Sequence, residues 1–165
     1  MDSIDKYLDE SAQVAYEQKQ LKSVFMIIAN EVLKSVQEGG TVFFCGNGGS
    51  AADSQHLAAE LIGRFKKNRE PISSIALTTD TSIITSTAND FSYSEIFSRQ
   101  LLGIGQDKDI LIAISTSGES KSVLQAVETA NSMGMLTVGF TGKETNSLSN
   151  ITKYSLHIPS NETGI

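Results

Sequence analysis

A chain of 165 residues, 39% hydrophobic and 19% charged, has the size and make-up of one folded domain, which excludes wholesale disorder. Its net charge of −6 argues against nucleic acid as a partner, because phosphate backbones are held by clustered lysine and arginine. The single cysteine, Cys45, excludes an internal disulfide, and no apolar run approaches the roughly 20 residues that span a bilayer. Residues 1–6 also lack the basic-then-apolar pattern of a secretory signal. The expectation is a cytoplasmic protein with no membrane partner. A local basic patch remains compatible with a small phosphorylated metabolite, so the acidic balance does not exclude an anionic substrate.

The first forty residues predict two helices. Ile4, Tyr7, Leu8 and Val14 recur at helical spacing, and Leu21, Val24, Phe25, Ile28, Val32 and Val36 repeat the pattern up to Gly39-Gly40. Residues 1–39 are expected to be a packing or oligomerisation segment, because such a stripe must be buried against something. Short continuous apolar runs then predict strands over 41–45, 74–78, 110–114 and 136–140, with a weaker fifth over 154–158 stopped by Pro159. Helices are expected near 50–63, 80–88, 92–101 and 119–133, the last with Val123, Leu124, Val127 and Ala130 as its buried stripe. This alternation predicts an α/β fold: a three-layer αβα sandwich with a five-stranded, mostly parallel sheet, preceded by the helical pair, all in one domain over 1–165. Ligands of such sheets sit beyond the carboxyl ends of the strands.

Two loops fall at such ends. Gly46-Asn47-Gly48-Gly49-Ser50 has three glycines in four residues, which lets several backbone N–H groups converge on one point ahead of a helix. Ser50 can cap that helix or bind a ligand, and a plain βα turn explains the loop equally well. Ser115-Thr116-Ser117-Gly118-Glu119-Ser120 sets four hydroxyls around one glycine, a neutral pocket suited to a phosphate monoester. The competing explanation is a capping box with Glu119 in the first turn.

On the intervening helix, His56 and Glu60 are four residues apart and share a face that Arg64 continues. Such a pair can hold a metal or supply a base, but it also fits a solvated face with ordinary i,i+4 pairing. Asp53 is expected in the first turn as a helix-dipole partner. Cys45 is expected to be a small buried hydrophobe and His157 a satisfied structural histidine.

Taken together, these residues resemble the sugar isomerase (SIS) domain, a flavodoxin-like fold, and within it the phosphoheptose isomerases. The resemblance is carried by Cys45 to Ser50, His56 to Leu61 with Gly63-Arg64-Phe65, Asn89-Asp90-Phe91, Ile96 to Arg99, Ile114 to Ser120 and Thr141-Gly142-Lys143. It implies a cytoplasmic homotetramer that interconverts sedoheptulose 7-phosphate and D-glycero-D-manno-heptose 7-phosphate for bacterial surface glycans. By the same resemblance Ser115, Thr116, Ser117 and Ser120 hold the phosphate. Asn47, Gly48, Gly49 and Ser50 line the sugar site, with Asn89 and Asp90 contributing from a neighbouring loop. His56 and Glu60 are implied zinc ligands, and Glu60 also the catalytic acid–base.

The chain departs from the family in one respect. The family continues past the last strand with a helix bearing a Gln and a His, both ligands of the metal, and that His is the second acid–base. The only histidines here are His56 and His157, so the expectation is a piece of a longer product whose remaining ligands lie beyond Ile165. Rival readings are a non-catalytic SIS protein that binds a replication initiator, a hexose phosphate isomerase, and a sugar-phosphate sensor. Glu60 and the serine loop favour the heptose isomerase over the first of these, in which an apolar residue replaces the glutamate.

Overall fold

The computed structural model describes residues 3–142, 144–160, 162 and 164. Helix α1 (Ser3–Glu17) leads through a 3-10 turn (Gln18–Leu21) into α2 (Lys22–Gln37). The five strands are β1 (Val42–Gly46), β2 (Ser74–Ala76), β3 (Ile110–Ser115), β4 (Leu136–Thr141) and β5 (Tyr154–His157). Their order is β2-β1-β3-β4-β5, and every pairing is parallel, so the mostly parallel expectation resolves to a wholly parallel sheet. Val42 stands opposite both Ser74 and Ile110, Ile110 opposite Leu136, and Val138 opposite Tyr154.

The continuous apolar runs arise because each strand is covered on both faces. Val42, Phe44, Ile110, Ile112, Val138 and Leu156 pack with Ile28 of α2 and with Ala58 of α3 (Gly49–Ile62). The alternate residues Phe43, Cys45, Leu111 and Ala113 point the other way. There they meet Leu101 of α5 (Ser98–Ile104), Val123, Ala126 and Val127 of α6 (Lys121–Ser132), and Leu148 of α7 (Ser147–Ile151). Two-residue periodicity along each strand thereby builds two separate cores. Helix α4 (Thr81–Asp90) follows β2, its start capped by Asp80, whose carboxylate accepts from Ile83 N at 2.9 Å.

Two expectations change. The helix expected over 92–101 is split into a 3-10 turn (Tyr93–Glu95) and α5, because Ile96 and Phe97, adjacent yet each 2% exposed, are turned into the core together. Helix α7 was not expected. It has five residues, too few to show a period, and depends on a capping box in which Asn146 and Ser149 exchange hydrogen bonds at 3.0 Å each. Among the described residues no helix is long and apolar enough to cross a membrane.

Along the sheet, the chain leaves β1 toward β2 on one side and resumes at β3 on the other. The strand order therefore reverses between β1 and β3, and a crevice opens beyond their carboxyl ends. Both glycine-bearing loops lie there.

Candidate functional site

The first loop leaves β1 at Gly46 and enters α3 at Gly49. Ser50 does not cap this helix: the cap position is Gly48, at φ +57 with no side-chain cap bond, and Ser50 is already the helix's second residue. Its hydroxyl has no hydrogen-bond partner among the described residues and stays available to a ligand. Asp53 falls in the second turn rather than the first, which removes its role as a dipole partner. Instead it lines an open cleft of about 820 Å³ together with Ser50, His56 and Thr116, and Lys19 and Lys22 border the same cleft.

Asn47 connects this loop to the second one. Its Nδ2 donates to Ser120 Oγ at 2.7 Å and to Ser122 Oγ at 2.9 Å, and its Oδ1 accepts from the Tyr93 hydroxyl at 2.9 Å. Neither Tyr93 nor Ser122 was singled out in the sequence. They carry no spacing signal, because their partner is 46 and 75 residues away.

The serine loop closes on itself. Gly118 N donates to Ser115 O at 3.1 Å and to Ser115 Oγ at 3.2 Å, and Glu119 N donates to Ser117 Oγ at 3.2 Å. Each of these hydroxyls accepts from the loop and keeps its own proton to donate, as an anionic ligand requires. The capping-box explanation of Glu119 does not hold. Its carboxylate reaches across to α7, accepting from Ser147 N at 2.9 Å and Ser147 Oγ at 2.7 Å. Those two bonds, the backbone one foremost, hold its carboxyl below the usual glutamate range. Ser120 occupies the cap position of α6 but makes no side-chain cap bond. From outside, Leu148 N donates to Gly118 O at 3.0 Å and Gly142 N to Thr116 O at 3.0 Å.

Asn89 and Asp90 lie in the last turn of α4, not in a loop; both are exposed and Asn89 Nδ2 donates to Asp90 Oδ1 at 2.8 Å. Arg64 does not continue the His56 face, because α3 ends at Ile62; it donates to Asn68 Oδ1 at 2.7 Å. Arg69, unnoticed in the sequence, closes the end of α3 instead. Its guanidinium donates to the carbonyls of Glu60 and Leu61, each at 2.7 Å, and of Glu70 at 2.9 Å. Lys143 lies outside the described residues.

His56 Nε2 stands 4.0 Å from Glu60 Oε1, on the helix surface, with the histidine 72% exposed. The other carboxylate oxygen, Glu60 Oε2, is buried and has no hydrogen-bond partner among the described residues. An imidazole nitrogen and a carboxylate oxygen suit zinc in kind, but they are two of the four donors a tetrahedral ion takes. No cluster of three or more His, Cys, Asp or Glu is present among the described residues. Cys45 is fully buried and desolvation pushes its thiol up to about 12, as expected of a small hydrophobe. His157, in β5, donates from Nδ1 to Gly142 O at 3.1 Å, a structural histidine as expected.

A parallel αβα sandwich with paired loops at its switch point defines a SIS domain, and the family model described as SIS domain matches residues 6–142. A phosphoheptose isomerase of Akkermansia muciniphila is 46% identical over 136 residues, covering 82% of this chain and 72% of that protein. Phosphoheptose isomerase 1 of Campylobacter jejuni is 40% identical over 97% of this chain and 86% of its own length. The solved structure of a phosphoheptose isomerase from Francisella tularensis superposes with a TM-score of 0.93 at 33% identity, covering 99% of this chain and 90% of that one. That of Neisseria gonorrhoeae gives 0.91 at 33% identity, with 98% and 86% covered. The chain belongs to the phosphoheptose isomerase family of SIS domains.

Proposed function

We propose that this protein is an aldose–ketose isomerase that interconverts sedoheptulose 7-phosphate and D-glycero-D-manno-heptose 7-phosphate in the cytoplasm, for the heptose units of surface glycans. The observation that carries the reading is Glu60 Oε2, buried with no partner among the described residues. A buried carboxylate oxygen left unsatisfied by its own protein fits a group whose partner arrives with the ligand. Family membership supports the same reaction, and neither the initiator-binding nor the hexose alternative is favoured by it.

The serine loop holds the phosphate. Hydroxyls of Ser115, Thr116, Ser117 and Ser120 donate to its oxygens, which anchors the far end of the sugar and orients the reacting carbons. Asn47, Gly48, Gly49 and Ser50 line the sugar chain, and Asn89 and Asp90 approach from the end of α4. Glu60 takes the proton from the carbon next to the carbonyl. The electron pair of that C–H bond becomes the enediol double bond, and the carbonyl oxygen gains a proton. The other enediol hydroxyl then loses its proton to become the new carbonyl, and the former carbonyl carbon gains one, so the carbonyl moves one position along with no external oxidant or reductant. His56 and Glu60 are proposed as two donors to a zinc ion whose other ligands come from elsewhere; when bound, it would polarise the carbonyl oxygen as a Lewis acid.

Self-association as a homotetramer belongs to the same proposal. Leu8, Tyr16, Phe25, Met26 and Leu33 of α1 and α2 are exposed apolar side chains that association would cover. The test is turnover of sedoheptulose 7-phosphate by the natural-length gene product with zinc present. Glu60→Gln keeps shape and removes the base, and is expected to lower kcat by about 10²-fold or more with the fold intact. Full activity in that variant would sink the mechanism.

A further inference from the structure

Tyr93 takes no part in the reaction as proposed, and with 57% of its surface exposed its ring is not there to fill a core. Its hydroxyl nevertheless ends in the junction of the two loops, donating to Asn47 Oδ1 at 2.9 Å. A side-chain amide has one accepting end and one donating end, so the partner of the first decides where the second points. A phenol is far more acidic than an alcohol and so the better donor, which favours the amide oxygen on the Tyr93 side. The amide nitrogen then faces the serines, and both its protons are used, on Ser120 Oγ at 2.7 Å and Ser122 Oγ at 2.9 Å.

The polarity continues outward. Ser122 is 3% exposed, and its Oγ lies 3.4 Å from Ser120 Oγ. Having accepted from Asn47, Ser122 has its own proton left for Ser120. Ser120, half-buried at the mouth of the loop, then accepts twice and has only its proton left to offer. A phosphate monoester dianion presents acceptors alone, so a hydroxyl committed to donating is what it needs. Were the amide turned over, Asn47 would accept from the serines and their lone pairs would face the anion instead. We infer that Tyr93 is a positioning residue that sets the donor polarity of the phosphate-binding loop, acting through Asn47 and Ser122 on Ser120.

This rests on the assignment of residues 115–120 as the phosphate site. It is tested by calorimetric titration of inorganic phosphate into the parent protein and Tyr93→Phe, which removes one oxygen. Phosphate affinity is expected to fall about tenfold at an unchanged melting temperature, the worth of one hydrogen bond to a charged group. In an Asn47→Ala background the same tyrosine change is expected to have no further effect, because its route to Ser120 is gone. In turnover, KM rises by a similar factor and kcat holds, since phosphate binding is shared by ground and transition states. Unchanged phosphate affinity in Tyr93→Phe overturns the inference, as does an equal loss with Asn47→Ala already present, or a fall in kcat at constant KM. A parent protein that fails to bind phosphate overturns it too. A parent that binds phosphate but does not isomerise the heptose defeats the proposed reaction alone and leaves this assignment standing.

Discussion

The carboxylate of Glu119 accepts both the backbone N–H and the hydroxyl of Ser147, tying the end of the serine loop to the first turn of α7. The backbone N–H lowers the carboxyl's proton affinity most, with the hydroxyl second. A carboxyl depressed in the folded state contributes stability above its unfolded value, about 4.3, and that contribution is lost as pH falls through the folded one. The melting temperature of the parent is therefore expected to drop below about pH 4.3 with a component missing from Glu119→Gln. Parallel acid profiles for the two proteins would contradict this role.

Gly118 turns the loop at φ +70, and a Cβ there would collide with the side-chain amide of Asn146. Gly118→Ala is expected to cost at least about 1–3 kcal/mol in denaturant unfolding, from the left-handed backbone alone. Because Asn146 also donates to Thr141 Oγ1 at 2.6 Å and caps α7, the strain spreads to the clamp around the loop. Phosphate affinity should fall with stability. A variant of parental stability would show that the loop relaxes at no cost.

Arg69 holds the last turn of α3, the turn that carries Glu60. Arg69→Ala is expected to lower stability by only about 1 kcal/mol, while kcat falls because the carboxylate loses its fixed position. Arg69→Lys should not restore kcat, since a lysine ammonium cannot reproduce the planar fork over two carbonyls. Unchanged kcat in Arg69→Ala would remove Arg69 from the support of the site.

Cys45 is fully buried in β1, an internal strand of the sheet, and its thiol is pushed up to about 12. A thiol reagent at pH 8 should leave the folded protein unlabelled and label one site per chain in denaturant. A thiol whose folded value is raised contributes stability below its unfolded value, about 8.5, and loses it as pH climbs toward the folded one. Alkaline destabilisation should therefore be smaller in Cys45→Ala, although that variant also loses some packing. Rapid labelling of the native protein would show that the strand opens.

The sheet and its flanking helices were legible because both faces of each strand are buried, which writes apolar runs such as Val42–Gly46 directly into the chain. His56 and Glu60 were legible for a similar reason, since a four-residue spacing on a helix is a local property. Local rules left Ser50 open as a cap or a ligand contact; the structure puts the cap position on Gly48, which has no side chain, and Ser50 one residue inside the helix. They left a capping box open for Glu119 because its actual partner, Ser147, is 28 residues away and belongs to a helix too short to leave a period.

Which loops meet was decided only by tertiary structure. Asn47 and Ser120 are 73 residues apart and touch because β1 and β3 are neighbours, a consequence of strand order that neither segment encodes alone. Tyr93 reaches Asn47 from a 3-10 turn that exists because Ile96 and Phe97 are drawn together into the core. Element type depends on residues within a few positions of one another, and the sequence determines it. The direction in which a hydroxyl offers its proton depends on partners from several elements, and only the packed fold brings them together.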